Sequence, residues 1–386
     1  VKGRPRVMHV VAKLHLGGSE VVALSLAEAL RHQMDFSFFS VLGVEDDEVG
    51  RSLRERLDRA EIPLFTGTPL DMKLGGMLHG GWRLRQVLRR VRPDVVHLHT
   101  DVPDATYAAS TLFAFGDAPE AVVRTVHNTT LWPVWRRVGV FSEWRLERAW
   151  TVGVNAASLA ALHDFRSRHG LPRLPDAQCE VIVNGVAAPP LTRTQRRPGP
   201  TRVLFAGRLE PQKGTDLLPR IIERARQLTS ADAEVTIAGT GSQEPLLRSW
   251  LEGAAPGGWP VSLTPPIVGL SERLADYDVL LMPSRHEGLA LTCIEAVLAG
   301  VPVLVADIDG LRDVFPMGAP LSAPSGDVEA FARRLAGVVE DPARYRAAAL
   351  DLVESARTRF GVDRMARDYL GVYRSLLAPA PVEVIA

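Results

Sequence analysis

Asp278-Val279-Leu280-Leu281-Met282-Pro283-Ser284-Arg285-His286-Glu287-Gly288-Leu289-Ala290-Leu291-Thr292-Cys293-Ile294-Glu295 decides the fold, because it passes from a buried strand into a helix through one tight turn. Residues 278–282 are a short apolar run of strand length, Pro283 and Gly288 punctuate the turn, and a helix is predicted over 291–298. Free N–H groups and the dipole at that helix start favour a phosphate. Glu287 lies in the turn and Glu295 about one turn inside the helix, and carboxylates accept hydrogen bonds from hydroxyls. A ligand with a diphosphate centre and a polyhydroxylated group at each end satisfies all three features, and a nucleotide-sugar has that shape. The same residues also fit a bland reading, with one solvated glutamate on a loop and another on a helix surface.

The strand-then-helix rhythm runs along nearly the whole chain, as expected of parallel sheets with crossover helices. Strands are predicted over 7–12, 36–42, 95–99, 121–126, 151–154 and 181–183, with helices over 19–31, 82–91 and 156–168. A second set of strands covers 202–206, 235–238, 261–263, 279–282 and 303–306, with a helix over 215–226. The Pro- and Arg-rich stretch near 187–200 has almost nothing to bury and reads as a linker. The expected class is α/β, with two facing Rossmann-like doubly wound domains over 1–188 and 201–361, joined by 189–200. Ligands of such sheets bind beyond the carboxyl ends of the strands, which here means an interdomain cleft.

A chain of 386 residues suits two domains rather than one core. Its 45 basic and 45 acidic residues cancel, so nothing global points to nucleic acid or to an anionic membrane. Cys179 and Cys293 lie far apart with no metal spacing and imply no disulfide framework. Residues 7–12 are too short and too polar for a signal sequence, and no later run reaches membrane-spanning length. These features predict a cytoplasmic protein, with peripheral contact at the inner face of the membrane left open and the oligomeric state unassigned.

Ser284 to Glu295, continued by Ala296-Val297-Leu298-Ala299-Gly300-Val301-Pro302-Val303, resembles the Glu-x7-Glu signature of the retaining glycosyltransferases of family 4, which have the GT-B fold. The resemblance covers most of the chain and is strongest from Leu204 to Leu311. It implies that a last helix over 362–378 crosses back to the N-terminal domain. It also implies that Glu287 holds sugar hydroxyls, that Glu295 holds the ribose, that backbone N–H groups around Leu291 and Thr292 meet the donor phosphates, and that Gly288, Leu289 and Ala290 belong to the same donor-binding loop.

Other segments converge on the same chemistry. Gly207-Arg208-Leu209-Glu210-Pro211-Gln212-Lys213-Gly214 puts two cations on a strand-to-helix loop, where Arg offers a fixed fork and Lys a mobile point charge; an exposed basic loop paired with Glu210 is the plain alternative. The string resembles the family's Gly-Arg-Leu…Lys-Gly motif, which gives Arg208 and Lys213 the donor diphosphate. Gly239 and Gly241 close another strand and are expected to act sterically beside the nucleotide. Gly17 and Gly18 open the first helix, where Ser19 is a candidate N-cap, and the resemblance places this loop near the diphosphate. His127 ends a strand, and the resemblance sets it against the donor sugar near the reacting carbon. His97 and His99 share one strand face. His99 and Asp101 are candidates for an acceptor wall, with core packing an equal explanation of that strand face. Trp132 and Trp135 are candidates to meet an acceptor, whereas Trp144 and Trp150 are assigned to the core face of a helix. Arg83, Arg85, Arg89, Arg90 and Arg92 read as the solvated side of a helix.

No histidine pair has helical spacing with a third ligand, so no metal site is predicted, and Asp307-Ile308-Asp309 is discounted as a chance triplet. No cofactor is expected beyond the nucleotide-diphosphate sugar as co-substrate, with UDP favoured. The acceptor is a saccharide, a lipid-linked group or a small metabolite, and no nucleic-acid partner is expected. The implied reaction is same-face transfer of a hexosyl group to an acceptor hydroxyl, with no enzyme nucleophile and with departing charge stabilised by protein cations. Three departures bear on the donor sugar: Ala290 where many relatives have Gly, Ala187 where an Asp often ends the motif, and Asp313 for a frequent Glu. Two rivals remain at this level, a GT-B sugar-nucleotide epimerase or hydrolase and a catalytically silent binding partner.

Overall fold

The computed structural model describes residues 3–15, 17–99, 101–114, 121–189, 198–253, 258–287, 289–312, 314 and 321–378. Gly288, Asp313 and linker positions 190–197 fall outside these. The chain divides into two compact units, Val1–Gly185 with Val362–Ala386, and Val186–Gly361.

In the first unit β1 (Arg6–Val11), β2 (Asp35–Ser40), β3 (Leu64–Thr66), β4 (Val95–His99), β5 (Ala121–Val126), β6 (Trp150–Gly153) and β7 (Cys179–Val181) form one parallel sheet, ordered β3-β2-β1-β4-β5-β6-β7. In the second, β8 (Thr201–Ala206), β9 (Ala233–Ala238), β10 (Val261–Thr264), β11 (Val279–Met282), β12 (Val303–Asp307) and β13 (Ser322–Pro324) are ordered β10-β9-β8-β11-β12-β13, again all parallel. Strand order reverses between β1 and β4 in one sheet and between β8 and β11 in the other. Open α/β sheets leave a crevice at such a point, outside the carboxyl ends of the strands.

Local sequence explains most elements. Every residue of β11 is buried, as an apolar strand covered on both faces must be. The helix Leu218–Leu228 turns Leu218, Ile221, Ile222 and Ala225 inward at helical spacing. Asn155 caps Ala156–Arg168 reciprocally with Ser158.

The expected elements shift in places. The three-residue edge strands β3 and β13 carry too little apolar pattern to be read. The helix expected at 82 begins at Gly76, because Gly80 and Gly81 permit close helix packing rather than breaking it; a Cβ on Gly81 would lie 2.8 Å from that of Ala109 in the helix Asp101–Ser110. Residues Thr215–Leu217 form a tight 3-10 turn before their helix. The C-terminal stretch breaks at residue 351 as well as at Gly361, giving helices Pro342–Leu350, Val353–Phe360 and Val362–Leu377. Arg85 is not solvated: it is buried and donates to the Ser110 carbonyl.

A buried ionic network locks β5 to the helices behind it. Arg124 donates two hydrogen bonds to Glu143, at 2.8 and 2.7 Å, and Arg166 donates to the same carboxylate at 3.0 Å and to the Glu143 carbonyl. Burial alone would favour a protonated Glu143, but the two guanidiniums hold its carboxyl below the usual range. Glu143→Ala would strand two buried cations. It should cost about 3–5 kcal/mol of unfolding free energy. Chemical denaturation checks this, and a loss below about 1 kcal/mol would show that the network is dispensable.

Candidate functional site

In the second unit, the loops leaving β8 and β11 are knitted together at the switch point. Lys213 closes a short 3-10 turn, Pro211–Lys213, and its ammonium donates to both Glu287 oxygens at 2.7 Å. The lysine side chain is 20% exposed and the glutamate 6%. Ser284 Oγ donates to the same carboxylate at 2.7 Å, so Glu287 is held from two sides. Gly214 follows with φ +70°, and a Cβ there would lie 2.1 Å from the Pro283 carbonyl oxygen. Gln212 bridges the loops by donating to the His286 carbonyl and accepting a long 3.5 Å bond from Arg208. Below them Arg285 forks onto Asp216, both bonds 2.7 Å.

The structure therefore brings Arg208, Lys213 and Glu287 into one constellation. Glu210, the plain partner for the two cations, bonds instead to the backbone and hydroxyl of Ser242. Leu291 and Thr292 form the first turn of the helix Leu291–Leu298, whose N-cap is Ala290 and which no side chain caps. Its first amides, just after Leu289, are thus disposed to meet an anion. Glu295 lies one turn into this helix and is half-buried. Gly239 and Gly241 act sterically: a Cβ on either would lie 1.9 Å from the Gly207 carbonyl oxygen or 2.5 Å from that of Leu209. They let the loop after β9 pack on the loop that carries Arg208.

In the first unit, the switch point is lined by histidines that sequence spacing did not connect. His9 on β1 pairs in register with His97 on β4, and His99 follows on the same face. His9 Nδ1 lies 2.8 Å from His99 Nε2, and His99 Nδ1 lies 3.2 Å from His127 Nε2. His97 is bonded to Tyr373 at 2.7 Å and to Thr125 at 2.8 Å, and Thr125 to Tyr369. Both tyrosines belong to the helix Val362–Leu377, so the end of the chain completes this site. Burial pushes the pKa of His9 down to about 3 and that of His127 to about 4, so the rings are neutral at pH 7.

Ring nitrogens of His9, His97 and His99 approach within 4.8 Å of one another, close enough to share a metal ion, a grouping that a search for helical spacing could not find. Both nitrogens of His97 are already engaged by Tyr373 and Thr125, both of His99 by His9 and His127, and one of His9 by His99. An ion would have to break those bonds. Asp307 and Asp309, the discounted triplet, both pair with Arg312.

The aromatic and N-cap expectations need correction. Trp132 does not face an acceptor: it is 4% exposed, with φ +51°, and packs so closely on Gly139 that a Cβ there would lie 2.3 Å from its ring. Trp144, assigned to the core, is 52% exposed beneath the Arg145 guanidinium, and Trp150 opens β6 rather than lying on a helix. Trp135 is half-buried at the start of the helix Arg136–Arg145. Ser19 is not an N-cap. Gly17 holds that position, Gly18 begins the helix Gly18–Leu30, and Ser19 instead donates to Glu20. A Cβ on Gly17 would lie 2.2 Å from Glu20, which burial holds above the usual carboxylate range. Asp101 accepts from the Trp132 amide at 3.3 Å, and burial raises its pKa to about 6.

A cavity of about 520 Å³ near Arg226, Asp232 and Trp259 lies at the amino ends of β8 and β9, away from all these groups. Among the described residues no helix is long and apolar enough to cross a membrane, and both cysteines are free.

Comparison with known proteins gives the arrangement its family. Residues 16–188 match the family model described as Glycosyltransferase Family 4, and residues 200–341 match that described as Glycosyl transferases group 1. The chain is 30% identical over 327 residues to glycogen synthase of Mycobacterium tuberculosis, covering 79% of this chain and 76% of that one. It is 28% identical to the 2-deoxystreptamine N-acetyl-D-glucosaminyltransferase of Streptomyces fradiae, over 91% and 89% of the two chains. Among solved structures, Anabaena HepE in complex with UDP and glucose superposes with a TM-score of 0.75 at 17% identity, covering 96% of this chain and all of that one. Sucrose-phosphate synthase of Thermosynechococcus elongatus gives 0.72 at 16%, over 98% and 100%. Two parallel sheets, each with its polar residues at the switch point, are thus those of a GT-B enzyme, and the chain belongs to glycosyltransferase family 4.

Proposed function

We propose that this enzyme moves a hexosyl group from a nucleotide-diphosphate sugar, with UDP favoured, to a hydroxyl of a polyhydroxylated acceptor, with retention and without a metal. The observation that carries the reading is Lys213 held by Glu287 beside an uncapped helix start, with Arg208 on the same loop. As the bond from the sugar's anomeric carbon to phosphate breaks, negative charge collects on the diphosphate. Arg208, Lys213 and the first amides of the helix Leu291–Leu298 are preorganised to stabilise it. The acceptor oxygen then bonds to the anomeric carbon on the face just vacated, and a phosphate oxygen takes its proton. Glu287, too firmly held to serve as a mobile nucleophile, receives sugar hydroxyls, and Glu295 is assigned to the ribose.

HepE, of the same fold, has been solved with UDP-glucose, which supports a uridine donor. The relatives' names include glycogen synthase, 2-deoxystreptamine N-acetyl-D-glucosaminyltransferase and D-inositol 3-phosphate glycosyltransferase. Their common denominator is a hydroxyl on a polyhydroxylated ring, and we assign that acceptor class to this enzyme. In the first unit, His127 is assigned to the transferred sugar and Asp101 to the acceptor.

Arg208 is exposed, and among the described residues its side chain bonds only to Gln212, at a long 3.5 Å, so Arg208→Ala should leave the fold intact. Nucleotide release with acceptor present should fall about 10²–10³-fold in kcat. Wild-type turnover would sink the assignment, and release that needs no acceptor would mark a hydrolase.

Asp101 supplies a pH test. Its folded pKa, about 6, exceeds the ordinary aspartate value of 3.8, so the protonated form is favoured by folding. That contribution is fully present below about pH 3.8 and is lost as pH rises through 6. Asp101→Asn keeps an acceptor for the Trp132 amide without the ionisation. Its melting temperature relative to wild type should therefore rise between about pH 4 and pH 7, by up to about 3 kcal/mol in stability. An offset independent of pH would refute the buried carboxylate.

A further inference from the structure

The links between His9, His99 and His127 run head to tail, each joining an Nδ1 to the next ring's Nε2. Burial keeps all three neutral, and a neutral imidazole carries one N–H, so each link takes one proton and one lone pair. The three rings must therefore share a tautomer, either all Nδ1–H or all Nε2–H. A change at one end is felt at the other.

The inner end decides which. His9 lies against the rings of Phe36 and Phe38, and its Nε2 is buried with no hydrogen-bond partner among the described residues. The Nε2–H alternative would leave a buried N–H without an acceptor there. Orphaned donors are rarer in folded proteins than unfilled acceptors, so the proton goes to Nδ1 in every ring. His97 takes no part in the sequence, since Tyr373 and Thr125 occupy both its nitrogens; it packs beside His99 with ring centres 4.1 Å apart.

We propose that His9 and His99 are positioning residues, which fix His127 as a neutral hydrogen-bond donor through Nδ1. The inference rests on the reading that His127 contacts the transferred sugar. A neutral N–H can hold a sugar hydroxyl oxygen without placing positive charge beside an anomeric carbon that itself becomes cationic as the phosphate leaves. An imidazolium in that place would oppose the reaction.

The test is long-range ¹H–¹⁵N correlation of the intact protein labelled at histidine, which reports which nitrogen of each ring is bare. Wild type should show His9, His99 and His127 all protonated at Nδ1 at pH 7. Two near-isosteric variants then probe the coupling. His9→Asn can keep an N–H near the Nδ1 position and should preserve the tautomer of His127, with turnover within about twofold of wild type. His9→Asp offers an acceptor there and should turn both outer rings to Nε2–H, lowering kcat about tenfold with little change in KM. Mixed tautomers in wild type, a proton on His127 Nε2, or a folded His9→Asp in which His127 does not change would each overturn the proposal. The wild-type spectrum decides alone where His9→Asp fails to fold. A tautomer that turns over with unaltered kcat would uphold the relay and remove His127 from the sugar.

Discussion

One largely buried ammonium, confronted by one carboxylate, organises the second unit. Lys213 can be held at the carboxyl end of β8 only because Glu287, arriving from β11, neutralises it, and Glu287 can be buried only because Lys213 and Ser284 satisfy it. The pair works because β8 and β11 are neighbours across the reversal of strand order. Gly214 seats one loop on the other, and the Arg285–Asp216 fork braces them from beneath. Glu287 therefore has a second duty beside the sugar: it sets the place from which Lys213 meets a phosphate. A diphosphate bound there shares an ammonium already in position, and little reorganisation remains for the bond-breaking step.

The first unit solves a different problem, which is to bury polar rings without burying charge. Four histidines at its switch point are neutral: His9, His99 and His127 bond to one another, and His97 bonds to Tyr373 and to Thr125, which in turn meets Tyr369 of the same helix Val362–Leu377. The paired ions Arg124, Glu143 and Arg166 lie in a separate place, behind β5. The contrast fits the proposed chemistry. Fixed cations serve where negative charge departs, and neutral donors serve where positive charge forms.

The sheets were legible because parallel strands are continuous apolar runs, and β4, β5 and β11 fall at the residues read from the chain. Edge strands β3 and β13, three residues each, carry no such run. The cations and glutamates of the second unit were legible for a local reason: strand, loop and helix follow one another in sequence. Their pairing was not, since residues 213 and 287 meet only through the order of strands in the sheet. His9 was missed for the same reason, although a histidine inside the first strand and a His-x-His in the fourth were visible signals. The tryptophans misled because helical spacing cannot reveal that Gly139 opens a seat for Trp132, which leaves Trp144 outside.

The central claim, that Lys213 is placed for the donor's diphosphate, is tested most directly by calorimetric titration of UDP and UMP against wild type and Lys213→Met. The account predicts that wild type prefers UDP to UMP, and that losing one charge-assisted contact narrows the preference by about tenfold or more. The same preference in both proteins would contradict it.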